Sequence, residues 1–143
     1  MRIGLLGYGT GGKNFRSPYI EAAVDCELVG IVARAPGTVA EARADWPDTP
    51  VFQSLEELVN SGVDAVTIST PPATRRGLVL EAIGRGVHVV ADKPFAPSAL
   101  AGLELVSAAD KAGVMLSAYH NRRWDADIRT LRRVLREQPI GEI

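Results

Sequence analysis

Apolar positions in this chain fall into short, nearly continuous runs, separated by longer stretches with helical spacing. Ile3, Leu5 and Leu6 predict a first strand over Arg2–Leu6. Leu28, Val29, Ile31 and Val32 predict a second over Glu27–Ala33, and so dense a run suits a parallel strand covered on both faces. Shorter runs predict strands at Val51–Phe52, Asp64–Ser69, Val87–Ala91 and Val114–Ala118. The stretches between them predict helices from Gly11 or Gly12 toward Val24, then over Gly37–Trp46, Leu55–Asn60, Ala73–Ile83, Ser98–Ala112 and Asp125–Glu137. Ser17-Pro18 should break the first helix, because an interior proline removes a donor and clashes with the preceding turn. Pro47 helps stop the second, and Ser54-x-x-Glu57 is a capping box that opens the third. Gly84 and Gly86 close the fourth. Gly113 ends the fifth, on which Leu100, Leu103 and Val106 share a face. The last carries Ile128, Leu131 and Leu135 at helical spacing. Its acids (Asp125, Asp127) come early and Arg132, Arg133 and Arg136 late, as the helix dipole favours.

Strands and helices alternate six times, which predicts an α/β fold: a Rossmann-type, doubly wound parallel sheet with helices on both faces. Right-handed crossovers favour the strand order 3-2-1-4-5-6. Ligands of such sheets sit at the carboxyl ends of the strands, near the switch point between strands 1 and 4. Four turns leave those ends with distinctive glycine, proline or polar residues: Gly7–Gly12, Ser69–Pro72, Asp92–Pro94 and Tyr119–Arg123. They should converge on one crevice.

The first of these turns, Gly7-Tyr8-Gly9-Thr10-Gly11-Gly12, spells G-x-G-x-x-G between a strand and a helix, the context in which that motif means a dinucleotide site. The first glycine makes the tight turn, the second lets backbone approach a pyrophosphate, and the third packs helix against strand. The helix N-terminus offers free N–H groups to phosphate. The end of strand 2 selects the cofactor. NAD enzymes usually place an acid there for the ribose 2′-OH, and NADP enzymes an arginine for the 2′-phosphate. Here Ala33-Arg34-Ala35-Pro36 contains no acid, and the planar fork of Arg34 suits phosphate, so NADP is expected over NAD. The bland alternative is a solvated arginine in a surface turn. The missing acid also weighs against a methyltransferase. A rival remains in Gly7-x-x-x-x-Gly12-Lys13-Asn14, which nearly spells a P-loop of a nucleotide triphosphatase, with the strand ending at Asp92 as its acidic partner. Asn14, however, stands where a Ser or Thr hydroxyl should hold magnesium.

Composition changes this picture little. At 143 residues the chain is one domain of ordinary size, with 46% apolar and 23% charged residues. A net charge of −1 gives no global reason to expect nucleic acid or membrane partners. The lone Cys26 fits a reducing cytoplasm and reads as a small filler before strand 2. No apolar run approaches the roughly 20 residues of a membrane span, and Met1-Arg2 leads directly into a strand, so no leader is expected. No metal-spaced cluster or Ser-His-Asp set occurs in the sequence.

Lys93, after strand 5, is the candidate catalytic residue: its ammonium can donate to a hydroxyl or carbonyl oxygen. His120, Asn121 and Arg123 are candidate substrate contacts. A lone histidine is more often structural, and Arg123 could equally pair with Asp125 or Asp127. His88 lies within strand 5, where packing or the backbone should satisfy it. The arginines of the last helix read most simply as a solvated face.

With the glycine loop, Thr70-Pro71-Pro72, Asp92-Lys93-Pro94 and Asn121-x-Arg123-Trp124 before an arginine-rich helix, the chain resembles the glucose–fructose oxidoreductase / inositol dehydrogenase / MocA family (Gfo/Idh/MocA). The resemblance covers nearly the whole chain but only the N-terminal half of a family member. The family carries Glu-Lys-Pro where this chain has Asp92-Lys93-Pro94, and tends to have a His where this chain has Arg75. The resemblance implies an NAD(P)-dependent oxidoreductase that moves hydride between nicotinamide and a secondary alcohol or ketone of a sugar or cyclitol. The non-catalytic alternative is a cofactor-binding sensor module. The resemblance also implies that Lys93 lies beside the nicotinamide. The expected cofactor surface comprises Gly7, Tyr8, Gly9, Thr10, Gly11, Gly12, Ala33, Arg34, Ser69, Thr70, Pro71, Asp92, Lys93 and Pro94, with Pro94 shaping its turn. It implies further a second α/β domain for substrate contacts and oligomer formation, entered through a linker over 139–143, after a cofactor domain over 1–138.

Overall fold

Leu5 and Leu6 are adjacent, fully buried, and belong to opposite sides of a sheet. Successive strand residues point to opposite faces, so both faces of this strand must be covered at its carboxyl end. The computed structural model, which describes residues 1–137, shows why. Its elements are β1 (Arg2–Leu6), a single π turn (Gly12–Arg16), α1 (Ser17–Ala22), β2 (Glu27–Val32), α2 (Pro36–Asp45), β3 (Val51–Phe52) and α3 (Leu55–Asn60). There follow β4 (Ala65–Ile68), α4 (Pro72–Gly84), β5 (His88–Ala91), α5 (Ala99–Ala112), β6 (Leu116–Ala118), a 3-10 turn (Asn121–Trp124) and α6 (Ala126–Glu137). The six strands are all parallel, in the order β3-β2-β1-β4-β5-β6 expected from the sequence. The expected linker over 139–143 lies outside the described residues.

One face of the sheet packs Leu6, Val66, Ile68 and Val89 against Leu55 and Leu58 of α3, Val79 and Ile83 of α4, and Leu105 and Ala109 of α5. The other packs Leu5, Leu28 and Ile31 against Tyr8, Ile20 and Ala42. At the β1–β2 pair the register slips by one residue, so that Gly4 lies opposite Gly30. The two glycines form a bare floor for Leu58. A Cβ on Gly4 would lie 2.5 Å from Leu58 Cδ2, and one on Gly30 2.6 Å from Leu58 Cδ1. Position 4 and position 30 must therefore lack side chains for α3 to reach the sheet.

The break expected at Ser17-Pro18 takes the form of the π turn just before it. Pro18 sits in the first turn of α1, where its missing N–H costs nothing. The Ser17 hydroxyl is shared between the carbonyls of Gly12 (3.2 Å) and Lys13 (3.1 Å), and the Ser17 N–H also donates to Gly12 O. The helix then ends at Ala22, short of Val24, and Asp25 turns the chain with φ of 62°. Ser54 Oγ accepts from Glu57 N as the capping box requires, but the Glu57 carboxylate reaches one residue further back, to Gln53 N.

The structure settles which apolar residues of the last two long helices are inside, and where the last strand begins. On α5 the buried positions are Leu105 and Ala109, whereas Leu100, Leu103 and Val106 are 79%, 67% and 45% exposed. The inward stripe is the one through Leu105 and Ala109, with Gly102 on the same side against Phe95 and Ala96. On α6 no residue is buried, and Leu131 and Leu135 stay exposed. Finally β6 starts at Leu116, not Val114, because Val114 N donates to Ala109 O and Met115 N to His88 Nδ1. His88 is thereby satisfied by backbone, as expected.

Candidate cofactor site

The carboxyl ends of β1, β4 and β5 meet as the sequence pattern requires. Gly7 leaves β1 with φ of 93°, a left-handed conformation that a side chain would strain. Its position also places a would-be Cβ 3.0 Å from Ser69 O. Gly12 is more constrained: a Cβ there would lie 2.0 Å from Gly7 O, so only glycine lets the helix close onto the turn. Gly9 is the opposite case, with open space where its Cβ would be. The loop thus presents unobstructed backbone at Gly9 while being held rigid at Gly7 and Gly12. That is the cradle a pyrophosphate needs, and the residues present fit the cofactor.

A cavity of about 410 Å³ runs from this loop along the end of β2. Of the expected residues, Gly7, Tyr8, Ala33, Arg34, Thr70 and Pro71 line it. Thr38, Thr74, Leu78 and Glu81 line it as well and went unforeseen, since nothing in their local pattern marks them. Thr70 Oγ1 is buried there with no partner among the described residues, a polar atom left for a ligand. Arg34 is exposed. Its Nε donates to Gln53 O (3.0 Å), which orients the guanidinium. No hydrogen bond or ion pair engages its terminal nitrogens among the described residues.

Tyr8 contributes backbone, not its ring. The side chain is buried on the other side, where its hydroxyl donates to Asp45 (2.9 Å) and accepts from Trp46 Nε1 (2.9 Å). Burial, then the Asp45 carboxylate, push the Tyr8 hydroxyl above its usual pKa. Lys13 closes this network with an ion pair to Asp45 (2.9 Å), which lowers the Asp45 pKa and raises that of Lys13. The Lys13 ammonium therefore faces α2, not the mouth of the glycine loop where a P-loop lysine would meet phosphate.

A second group of residues lies behind the loop. Asp92, 9% exposed, receives Arg16 Nη2 (2.5 Å) and Lys93 N (2.8 Å) on Oδ1 and the Ser69 hydroxyl (3.1 Å) on Oδ2. A Cβ on Gly11 would meet Ser69 Oγ at 2.6 Å, so the glycine loop lies directly on this cluster. The Arg16 guanidinium stacks 3.4 Å over the Tyr119 ring. Arg75, 4% exposed, donates to the carbonyls of Thr70, Asp92 and Pro94. Burial lowers the Arg75 pKa, Asp92 opposes that, and the like charge of Arg16 adds to it. Arg16 was not singled out beforehand, and Arg75 was noted only as standing where the resembled family tends to have a His. The signal was present: each occupies a buried helical stripe, Arg16 with Ile20 and Arg75 with Val79 and Ala82.

Lys93 and Pro94 are exposed, with a cis bond between them. His120, Asn121 and Arg123 are also exposed, and Arg123 belongs to a separate groove of about 510 Å³ on α6, with Trp124, Arg129, Arg132, Arg133 and Arg136. It is Arg122, not Arg123, that pairs with Asp125 (3.1 Å) and Asp127 (3.7 Å). Among the described residues no His/Cys/Asp/Glu group could hold a metal, and no helix is long and apolar enough to cross a membrane.

A six-stranded parallel sheet with a glycine cradle at its switch point defines the class: a Rossmann NAD(P)-binding domain. The chain belongs to the Gfo/Idh/MocA oxidoreductase family. Residues 1–120 match its model, described as oxidoreductase family, NAD-binding Rossmann fold. Over its full length the chain is 34% identical to scyllo-inositol 2-dehydrogenase (NADP(+)) IolW of Bacillus subtilis and 30% identical to inositol 2-dehydrogenase of an Arthrobacter species. It spans 39% and 43% of those proteins, about two-fifths of their length. In structure it is similar to the WlbA dehydrogenase of Bordetella pertussis, solved with NADH and UDP-GlcNAcA. The TM-score is 0.87 at 31% identity, covering 100% of this chain and 41% of that one.

Proposed function

We propose that this domain prefers NADP to NAD. In the intact protein it would support hydride transfer between nicotinamide C4 and a secondary alcohol or ketone on a small polyhydroxylated substrate, a sugar or cyclitol derivative. The bound nicotinamide supplies the hydride donor or acceptor. In this reading Gly9, Gly11 and Gly12, with Tyr8 and Thr10, hold the pyrophosphate through backbone N–H groups, while Gly7, whose own N–H donates to Val32 O (3.0 Å), makes the turn beneath it. Ala33 and Arg34 take the adenosine end, and Ser69, Thr70 and Pro71 line the ribose on the nicotinamide side. Asp92 and Pro94 shape the turn from which Lys93 Nζ donates to the reacting oxygen. His120, Asn121 and Arg123 lie on the substrate side, completed by a further domain like the remainder of the relatives. The enzyme works in the cytoplasm as a homo-oligomer.

One observation carries the cofactor preference. The cavity ends at an arginine whose Nε is anchored and whose terminal nitrogens point to no acid, and no acid occurs between Ile31 and Gly37. Similarity to a dehydrogenase named for NADP(+) supports it. Sugar and inositol chemistry in the relatives supports the substrate class. The test is calorimetric titration of the chain with NADP and with NAD. NADP should bind about tenfold tighter, some 1.4 kcal/mol, and Arg34→Asp should reverse the order. Equal affinities in the wild type, or an unchanged preference in the variant, would remove Arg34 from the account.

A further inference from the structure

Two proline-bearing turns frame the site. Thr70-Pro71-Pro72 follows β4, and Asp92-Lys93-Pro94 follows β5. Three prolines leave these turns short of N–H donors, so the carbonyls within them cannot all be satisfied locally. Arg75 supplies what they lack. Its Nη1 donates to Asp92 O (2.9 Å) and to Pro94 O (2.5 Å), the carbonyls on either side of Lys93. Its Nη2 donates to Thr70 O (2.6 Å), in the turn that lines the cofactor cavity. The Lys93 N–H is itself held by Asp92 Oδ1 (2.8 Å). The backbone around Lys93 is thus fixed on every side while its side chain stays exposed. One planar fork serves two turns at once, a geometry a lysine cannot reproduce.

We propose that Arg75 is a positioning residue: it locks the Lys93 loop to the Thr70 turn, so that cofactor seated against Thr70 and Pro71 fixes where the Lys93 amine stands. This rests on the assignment of Lys93 to the reacting carbon. Arg75 touches neither cofactor nor substrate in this role and acts through the two turns alone.

The chain has only three lysines, Lys13, Lys93 and Lys111, which makes the amine itself readable. The experiment is limited acetylation of the full chain with and without saturating NADPH, quantified by peptide mass spectrometry. Exposed Lys111 at the end of α5 serves as the internal reference. In the wild type, NADPH should slow Lys93 acetylation about fivefold relative to Lys111. In Arg75→Met, NADPH should still bind within about threefold of wild type while the slowing falls below about twofold. Arg75→Lys should fall between them. Amide exchange at Lys93 should rise about tenfold in Arg75→Met while β4 amides keep their protection. A merely structural role would lower stability without separating cofactor affinity from Lys93 protection. Full fivefold protection in a folded Arg75→Met overturns the proposal. If that variant does not fold, Arg75→Lys decides: full protection overturns, intermediate protection supports. If the wild type binds NADPH and leaves Lys93 unprotected, the Lys93 assignment fails first and this inference falls with it.

Discussion

Gly9 and Gly12 share one motif, yet alanine at the two positions should fail in different ways. At Gly12 the added methyl would lie 2.0 Å from Gly7 O and 3.0 Å from Gly7 C. Both neighbours are backbone, so no side chain can rotate aside, and helix or turn must move by roughly an ångström. Overpacking of this kind costs about 1–3 kcal/mol, and contact with rigid backbone puts Gly12→Ala at the upper end, about 3 kcal/mol. For a chain of this size that is about 10 °C in Tm. At Gly9 the added methyl meets nothing within 4 Å, and the residue has no left-handed φ. Stability should therefore change by less than about 0.5 kcal/mol. The methyl would instead occupy the space reserved for pyrophosphate, and NADPH affinity should fall by about tenfold or more, at least 1.4 kcal/mol. Urea unfolding and a fluorescence titration with NADPH separate the two effects. A Gly9→Ala domain that binds NADPH like wild type would refute the cradle, and so would a Gly12→Ala domain as stable as wild type.

The acid end of the Tyr8 network should be visible in a pH series. Pairing with Lys13, then the hydrogen bond from Tyr8, lowers the folded pKa of Asp45 below its ordinary value. Its contribution is therefore present above the usual carboxylate range and disappears as pH falls through the lowered folded value. The stability gap between wild type and Asp45→Asn, measured by urea unfolding, should be open at pH 7 and closed near the acid end. A gap that widens on acidification would contradict the assignment. Leu58 is fully buried on the floor formed by Gly4 and Gly30, so Leu58→Ala should cost about 3 kcal/mol in the same assay. A loss under about 1 kcal/mol would mean that α3 resettles onto the sheet.

The strand order and the glycine cradle were legible because both rest on local patterns: dense apolar runs, glycines at fixed spacing, and prolines at strand ends. The face of α5 was not. Leu100, Leu103 and Val106 have the right spacing, but the inward stripe runs through Gly102, Leu105 and Ala109, and spacing alone does not say which stripe is inside. The cavity wall from Thr38 to Glu81 was equally invisible, being assembled from two helices distant in sequence. Arg16 and Arg75 were legible in principle. A charge on an otherwise apolar stripe is an anomaly, and here each such arginine is spent on Asp92 or on the carbonyls of its turn.

The most direct test of the cofactor site is a nitrogen–proton NMR titration of the domain with NADP. Shifts should concentrate at the amides of 7–12, 33–35, 37–38, 69–70, 92–93 and 95, the neighbouring prolines giving no signal, with α5 unaffected. A phosphate-rich ligand could be captured instead by the arginine groove of α6. Shifts confined to Arg129, Arg132, Arg133 and their neighbours, with Gly9 and Arg34 silent, would contradict the central claim.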